Sequence, residues 1–354
     1  MKTPTPAQAE PDTLAGFTNA ERKCPVINWY RSPLPPGELK KLHQRSDWRG
    51  AGQTLGYLFI LIATAALALY SFLHWPWWVT VAAVFLHGMT TAFLINGVHE
   101  LGHGTVFQTK WLNSVFVHVL AFLGWINHEM FQSSHTRHHR YTLHPPDDLE
   151  VVLPIRLMIR HFFLTGFLNP PHAWSAWKNT VRIARGRFEG EWELTLYPPS
   201  APEKRRAPVR WARCLLAGHG LIVVTSALTG WWIVPVLTTL APFYGGWLFF
   251  LCNNTQHIGL QDNVPDFRLC CRTFTLNPAI RFLYWQMNYH TEHHMYAAVP
   301  CYNLGKLHTL IRHDLPPCPH GLVAVWREIA TIQARQEKDP SYQYRAPVPS
   351  PAGG

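Results

Sequence analysis

Apolar residues in this chain are gathered into blocks, and four blocks predict helices that cross a membrane. Leu55–Leu73 is 19 residues without a charge, and Trp78–Leu94 is interrupted only by His87 and small polar groups. Cys214–Leu228 and Ile233–Leu251 form a second pair, separated by Thr229–Gly230–Trp231–Trp232. About 20 residues of helix cross the hydrocarbon layer, so the third block needs its flanks to span. Pro235 and Pro242 predict a kinked fourth helix, which membranes tolerate when neighbouring groups satisfy the freed backbone.

The polar positions set the expected topology. Neither His74–Trp75–Pro76–Trp77 nor the link between helices three and four holds a Lys, Arg, Asp or Glu. Nearly all the charge lies in the first 50 residues, in the block from 98 to 210 and after 252. The positive-inside rule then predicts both termini and the middle block in the cytoplasm, with two tight hairpins reaching the far side. The expected architecture is an all-α membrane protein with four transmembrane helices and a cytoplasmic helical cap. Residues 1–50 read as a cytoplasmic segment, 51–315 as the membrane domain and 316–354 as a partly disordered cytoplasmic tail. Trp111–Ile126 is too short to cross and predicts an interfacial or re-entrant helix. Ile155–Leu168, with Arg156, Arg160 and His161 among apolar residues, predicts a helix lying on the membrane plane. Pro198–Pro208 and the last 20 residues, rich in Pro, read as linker and disordered tail.

Composition narrows the class. Many of the 16 Trp flank apolar runs, as interface anchors do. The net charge of +10 could suggest a nucleic-acid partner, but the positive-inside rule explains the same excess and none is expected. The first 50 residues lack an apolar h-region, so no cleavable signal peptide is expected. Seven Cys without a CxxC spacing argue against a rubredoxin-like iron site or a zinc ribbon. The adjacent Cys270–Cys271 read as unrelated thiols in a reducing compartment.

Nine of the 21 histidines form a pattern. His99 and His103 sit in HELGH; His135, His138 and His139 in HTRHH; His290, His293 and His294 in HTEHH; and His257 in NNTQHIG. In a helix, residues i, i+3 and i+4 share one face, so each box is a compact claw. Asn253 and His257 repeat the i,i+4 spacing. All four motifs fall on the predicted cytoplasmic face, a topology read without using them. Imidazole is the commonest neutral metal ligand and suits iron, zinc and copper. Eight or nine are too many for one ion, and two ions fit the count. His87, His128, His144 and His219 read as structural or interfacial, His144 being the best placed to support a ligand. Asp147, Asp148 and Glu150 read as a solvated acidic turn after Pro145–Pro146, the alternative being that they orient ligand histidines.

HELGH also matches the HExxH zinc-peptidase signature, with Glu100 as general base. That reading leaves six boxed histidines without a role. In the two-metal reading Glu100 accepts a hydrogen bond from a ligand imidazole.

The series HxxxH, HxxHH, HxxHH resembles the integral-membrane fatty acid desaturase and hydroxylase family, over roughly residues 50 to 315. HTEHHMYAAVPCYNLGKLH resembles the family's third-box run and HTRHHRYTLHPPDDLEV its second. Tyr296–Ala297 departs from the Phe-Pro of many acyl desaturases. The resemblance implies two non-haem irons, held by the nine histidines, with O2 as co-substrate. Asn253 and His257 match the family's extra pair, in which the His binds iron and the Asn acts through water. With no haem, flavin, nicotinamide or iron–sulfur motif in the chain, an external electron donor is implied, ferredoxin or cytochrome b5 with its reductase. The basic face would attract an acidic donor, or serves only topology and lipid phosphates. The expected activity is desaturation of a fatty acyl or lipid-like chain. The boxes are shared with C–H hydroxylases, and Tyr296–Ala297 leaves room for a small amino-acid-derived substrate.

Overall fold

The computed structural model describes residues 26–153, 157 and 159–349, so the first half of the 1–50 segment, Arg156 and the last five residues lie outside the described part. Within it the chain is helical, and no strand forms beyond isolated bridges such as Thr273 to Tyr289.

Helix α1 (Asp47–His74) opens at Ser46, whose hydroxyl accepts from the Arg49 N–H and satisfies one free donor of the first turn. It buries Tyr57, Leu61 and Ala68 and turns Phe59, Ile62 and Tyr70 outward. Exposed apolar residues along a whole helix suit a bilayer, where water does not penalise them. Trp75–Pro76 reverses the chain into α2 (Trp77–Thr91), which runs on through Phe93 into α3 (Leu94–Gly102). Between the antiparallel α1 and α2 the Tyr57 hydroxyl donates to Thr90 O at 2.7 Å, and Thr64 Oγ1 meets His87 Nδ1 at 2.9 Å. These contacts satisfy polar groups that lipid could not.

Helices α4 (Lys110–Leu123) and α5 (His128–Tyr141) follow, then α6 (Pro170–Ala184), packed on α7 (Arg206–Thr229). The α4 stretch is short, as expected, and a helix forms over Ile159–Gly166, inside the stretch Ile155–Leu168. Among the described residues, three continuous stretches are long and apolar enough to cross a membrane: Asp47–His74, Trp77–Gly102 and Pro202–Thr229.

Two expectations change here. The stretch Pro198–Pro208 is not a linker: a 3-10 turn, Pro202–Arg205, feeds directly into α7, and Pro208 sits buried in its first turn, where a missing N–H costs nothing. The helix so extended has the length that Cys214–Leu228 lacked. The fourth block is also not one helix. It breaks into Ile233–Leu237, Ala241–Phe243 and α8 (Trp247–Asn253). It still travels along α2: Ile233 and Leu237 pack with Ala68 and Ala83, and Phe249 meets Phe93 edge-on at 5.8 Å. Gly88 makes room for the Tyr244 ring, and Gly245, at φ 71, is pressed so close that a Cβ would lie 2.7 Å from Phe85 O.

The rest of the described chain folds into shorter helices. Helices α9 (His290–Met295), α10 (Cys301–Ile311) and α11 (Gly321–Lys338) close around a core centred on Trp285, Phe274 and Leu304. The segment from 316 on is well packed where it is described: Val325, Ile329 and Ile332 of α11 are buried, and the Tyr344 N–H donates to Gly259 O at 2.7 Å.

Candidate metal centre

Box by box, the helices deliver their histidines to one place. His99 lies on α3, with His103 as its C-terminal cap. His135, His138 and His139 lie on α5, and His290, His293 and His294 on α9. His257 stands in a turn beyond α8, which ends at Asn253. The nine imidazoles form two clusters, His99, His103, His135, His139 and His293 in one, and His138, His257, His290 and His294 in the other. Within each, one ring nitrogen per residue lies within 4.8 Å of all the others. The clusters do not follow the boxes: HTRHH and HTEHH each divide their histidines between the two.

Hydrogen bonds on the outer nitrogens decide which way each ring points its lone pair. His99 Nδ1 is 3.0 Å from Glu100 Oε1, His135 Nδ1 is 2.8 Å from Glu150 Oε1, and His138 Nδ1 is 2.8 Å from Asp148 Oδ2. His257 Nδ1 lies 2.7 Å from Cys270 O. Carboxylate and carbonyl oxygens only accept, so these Nδ1 atoms carry the proton and each Nε2 presents a lone pair inward. Asp148 and Glu150 are therefore not a solvated turn. Asp148 is buried and also accepts from Leu143 N, and Glu150 bonds the Ser134 hydroxyl at 2.6 Å. Asp147 faces elsewhere, toward Arg137.

The inward nitrogens meet nothing but one another. Nε2 of His99, His103 and His135 is buried without a hydrogen bond, and His293 Nε2 meets His139 Nε2 at 3.1 Å. His290 Nε2 sits 2.9 Å from His257 Nε2 and 3.1 Å from His294 Nε2, and a single imidazole proton cannot satisfy all three. An unpaired buried polar group costs about 1–3 kcal/mol, so this many at one point is a construction that a positive ion would relieve. Burial pushes His103 and His257 down to about 3, and holds His135, His139, His290, His293 and His294 well below the usual imidazole range. They are neutral at pH 7, the form that ligates metal. His138 runs the other way: burial opposes its charge, but the bond to Asp148 raises it above the usual value.

Two supports escaped sequence reading because they link distant residues. Buried Arg272 encloses the His257 turn, donating to Thr255 O at 2.7 Å and Ile258 O at 3.1 Å, while its Nε meets Glu328 of α11 at 2.9 Å. Glu292, fully buried between the α9 histidines, is bonded by the Thr273 hydroxyl and by His308 Nδ1. The other histidines stay outside: His87 bonds Leu237 O, His219 bonds Phe122 O and Thr239, and His128 packs on Trp211. His144 bonds Thr142 O and supports no ring of either cluster among the described residues.

Membrane-length helices together with two all-histidine clusters define a histidine-box membrane oxidoreductase. The family model for fatty acid desaturase matches residues 76–326, and the chain belongs to that family. Among curated relatives, the omega-6 fatty acid desaturase, chloroplastic, of Arabidopsis thaliana is 25% identical over 307 residues, covering 79% of this chain and 64% of that protein. Its namesake in Brassica napus is 25% identical over 324 residues, covering 84% and 67%. The chain thus spans about two thirds of the length of these relatives.

Proposed function

We propose that this chain is an O2-dependent di-iron desaturase that introduces a C=C bond into a fatty acyl chain. The observation that carries the reading is the pair of buried histidine clusters, whose inward nitrogens meet no protein group other than one another. His99, His103, His135, His139 and His293 would hold one iron, and His138, His257, His290 and His294 the other. Bound there, the irons would supply O2 activation and oxidation of an unactivated C–H bond. The protein's own part is positioning. Glu100, Glu150, Asp148 and the Cys270 carbonyl fix the tautomer and angle of four rings, and Asn253 stands at the end of α8 beside the His257 turn. Trp285, Met295 and Val299 are buried close by in sequence or space and help exclude water. Reducing O2 to water while removing two hydrogens needs two further electrons, which an external acidic carrier, ferredoxin or cytochrome b5, would deliver.

Both relatives are named for acyl desaturation, which favours an acyl chain over a small metabolite. The route of the fourth apolar block along α2, from Ala83 past Gly88 to Phe93, supports a fourth crossing made by broken backbone. With four crossings, both termini and the histidines would lie on one side of the membrane, the cytoplasmic one by the distribution of Lys and Arg. Glu100 as a peptidase base finds no support, since its Oε1 is engaged with His99 and a single zinc leaves the second cluster unexplained.

Elemental analysis of detergent-purified protein, with Mössbauer spectra of iron-57 material, tests the centre. About two irons per chain is the expected result; one zinc and no iron overturns it. Mass spectrometry of products then separates loss of two hydrogens from gain of one oxygen, the mark of a hydroxylase.

A further inference from the structure

A cavity of about 600 Å³ opens where the short helix Glu38–Leu42, the start of α1 and α10 meet, away from the histidines. Lys41, Arg45, Arg49 and Lys306 line it. The acidic lining residue among those described is Glu38, and it is already bonded to Lys41 at 2.7 Å. One wall is fixed: Arg49 donates to Asn303 Oδ1 at 2.9 Å, and buried Asn303 donates to Leu42 O at 2.8 Å. All four basic side chains are exposed to solvent. With Lys41 paired to Glu38, three cations, Arg45, Arg49 and Lys306, face the hollow and repel one another, and an anion seated there removes that cost.

Depth says which anion. Helix α1 has 28 residues, about 42 Å at 1.5 Å per residue, against a hydrocarbon layer of about 30 Å. Its apolar run begins at Leu55, so Arg49 leaves the helix roughly 9 Å beyond that edge, at the level of lipid headgroups. Trp48 beside it is 89% exposed, a ring suited to the same interface.

We propose that this cavity binds the phosphate of an anionic phospholipid headgroup. Arg49, preset by Asn303, supplies an oriented guanidinium, and Arg45 and Lys306 close over the phosphate oxygens as mobile cations. The inference stands apart from the metal reading and needs no turnover to test.

The test is binding of dioctanoyl phosphatidylglycerol to the purified full-length chain in neutral detergent, read by native mass spectrometry. An Arg45→Gln/Lys306→Gln variant is compared with Arg140→Gln/Lys204→Gln, which removes two exposed cations from another cleft. The expected result is about tenfold weaker lipid binding in the first variant and none lost in the second, with millimolar inorganic phosphate unable to displace the lipid. Equal losses in both variants would mean unspecific basic surface and overturn the proposal. So would displacement by phosphate, which marks a free-anion site. An acidic ferredoxin whose binding the first variant abolishes, while lipid binding persists, assigns the cleft to the electron donor instead. Comparing circular dichroism and iron content of both variants with the parent guards against loss of fold.

Discussion

His138 Nδ1 and Asp148 Oδ2 lie 2.8 Å apart, ten residues apart in sequence and with both side chains buried. The same carboxylate accepts from Leu143 N at 2.8 Å and from Glu150 N at 3.0 Å. One side chain thus ties the end of α5 to the loop after it and sets the angle of a cluster imidazole. Burial alone would oppose its ionisation, yet the bond to His138 holds Asp148 below the usual carboxylate range. Replacing Asp148 by Asn keeps the shape and removes the charge. Metal affinity at the four-histidine cluster is expected to fall about 10–100-fold. Chelator competition, followed by iron content, measures it; unchanged retention would mean that Asp148 serves the loop alone.

Arg272 makes a separable prediction. His257 has no helix beneath it, and the guanidinium bonds to Thr255 O and Ile258 O are what frame its turn. Arg272→Gln is expected to lower iron from about two per chain to about one, with the Mössbauer signal of the five-histidine cluster kept. Glu328→Gln, which leaves Arg272 in place without its charged partner, should show a milder loss in the same direction. Two irons retained in both variants would remove Arg272 from any role at the centre.

His219 is a control of the opposite kind. Its nitrogens meet Thr239 Oγ1 and Phe122 O, both at 3.0 Å, and its ring stacks on Phe122. His219→Ala should lower stability by roughly 1–3 kcal/mol, the cost of stranding buried polar partners, and leave metal content whole. A lost ion, detected by elemental analysis, would contradict this.

Gly88 tests the contact between α2 and the broken segment. Any Cβ there collides with the Tyr244 ring. Gly88→Ala is expected to destabilise by about 1–3 kcal/mol through overpacking. Adding Tyr244→Ala should recover part of that loss, since neighbouring substitutions are not additive. Thermal melts of the four proteins of this cycle in one detergent decide the point, and strictly additive shifts would argue that the two residues do not touch.

The histidines were legible in sequence because a helix converts a spacing of three or four into shared direction, so HxxHH carries its geometry with it. What joins the boxes was not legible. Asp148 and Glu150 stand in a stretch whose Pro pair and acids look like any exposed turn, and only tertiary packing reveals that their oxygens meet His138 and His135. Arg272 and Glu328 are 56 residues apart, and no local pattern connects them. Hydropathy also misled over Ile233–Leu251. Its residues are apolar because Leu237, Phe243, Leu248 and Phe250 are buried against protein, and a buried irregular segment has the same composition as a lipid-facing helix. Pro235 and Pro242 were the available signal: each stands in the first turn of a short piece, Ile233–Leu237 and Ala241–Phe243, so the block is cut into separate helical starts rather than bent as one helix.

The division of each box between two clusters has a consequence for the order of assembly. A chain grown only as far as residue 250 already holds four of the five histidines of one cluster, His99, His103, His135 and His139, but only His138 of the other. During synthesis, then, the first cluster nears completion on the outgoing chain while the second does not exist. Both are closed by the same late event, the arrival of α9, which delivers His293 to one and His290 and His294 to the other.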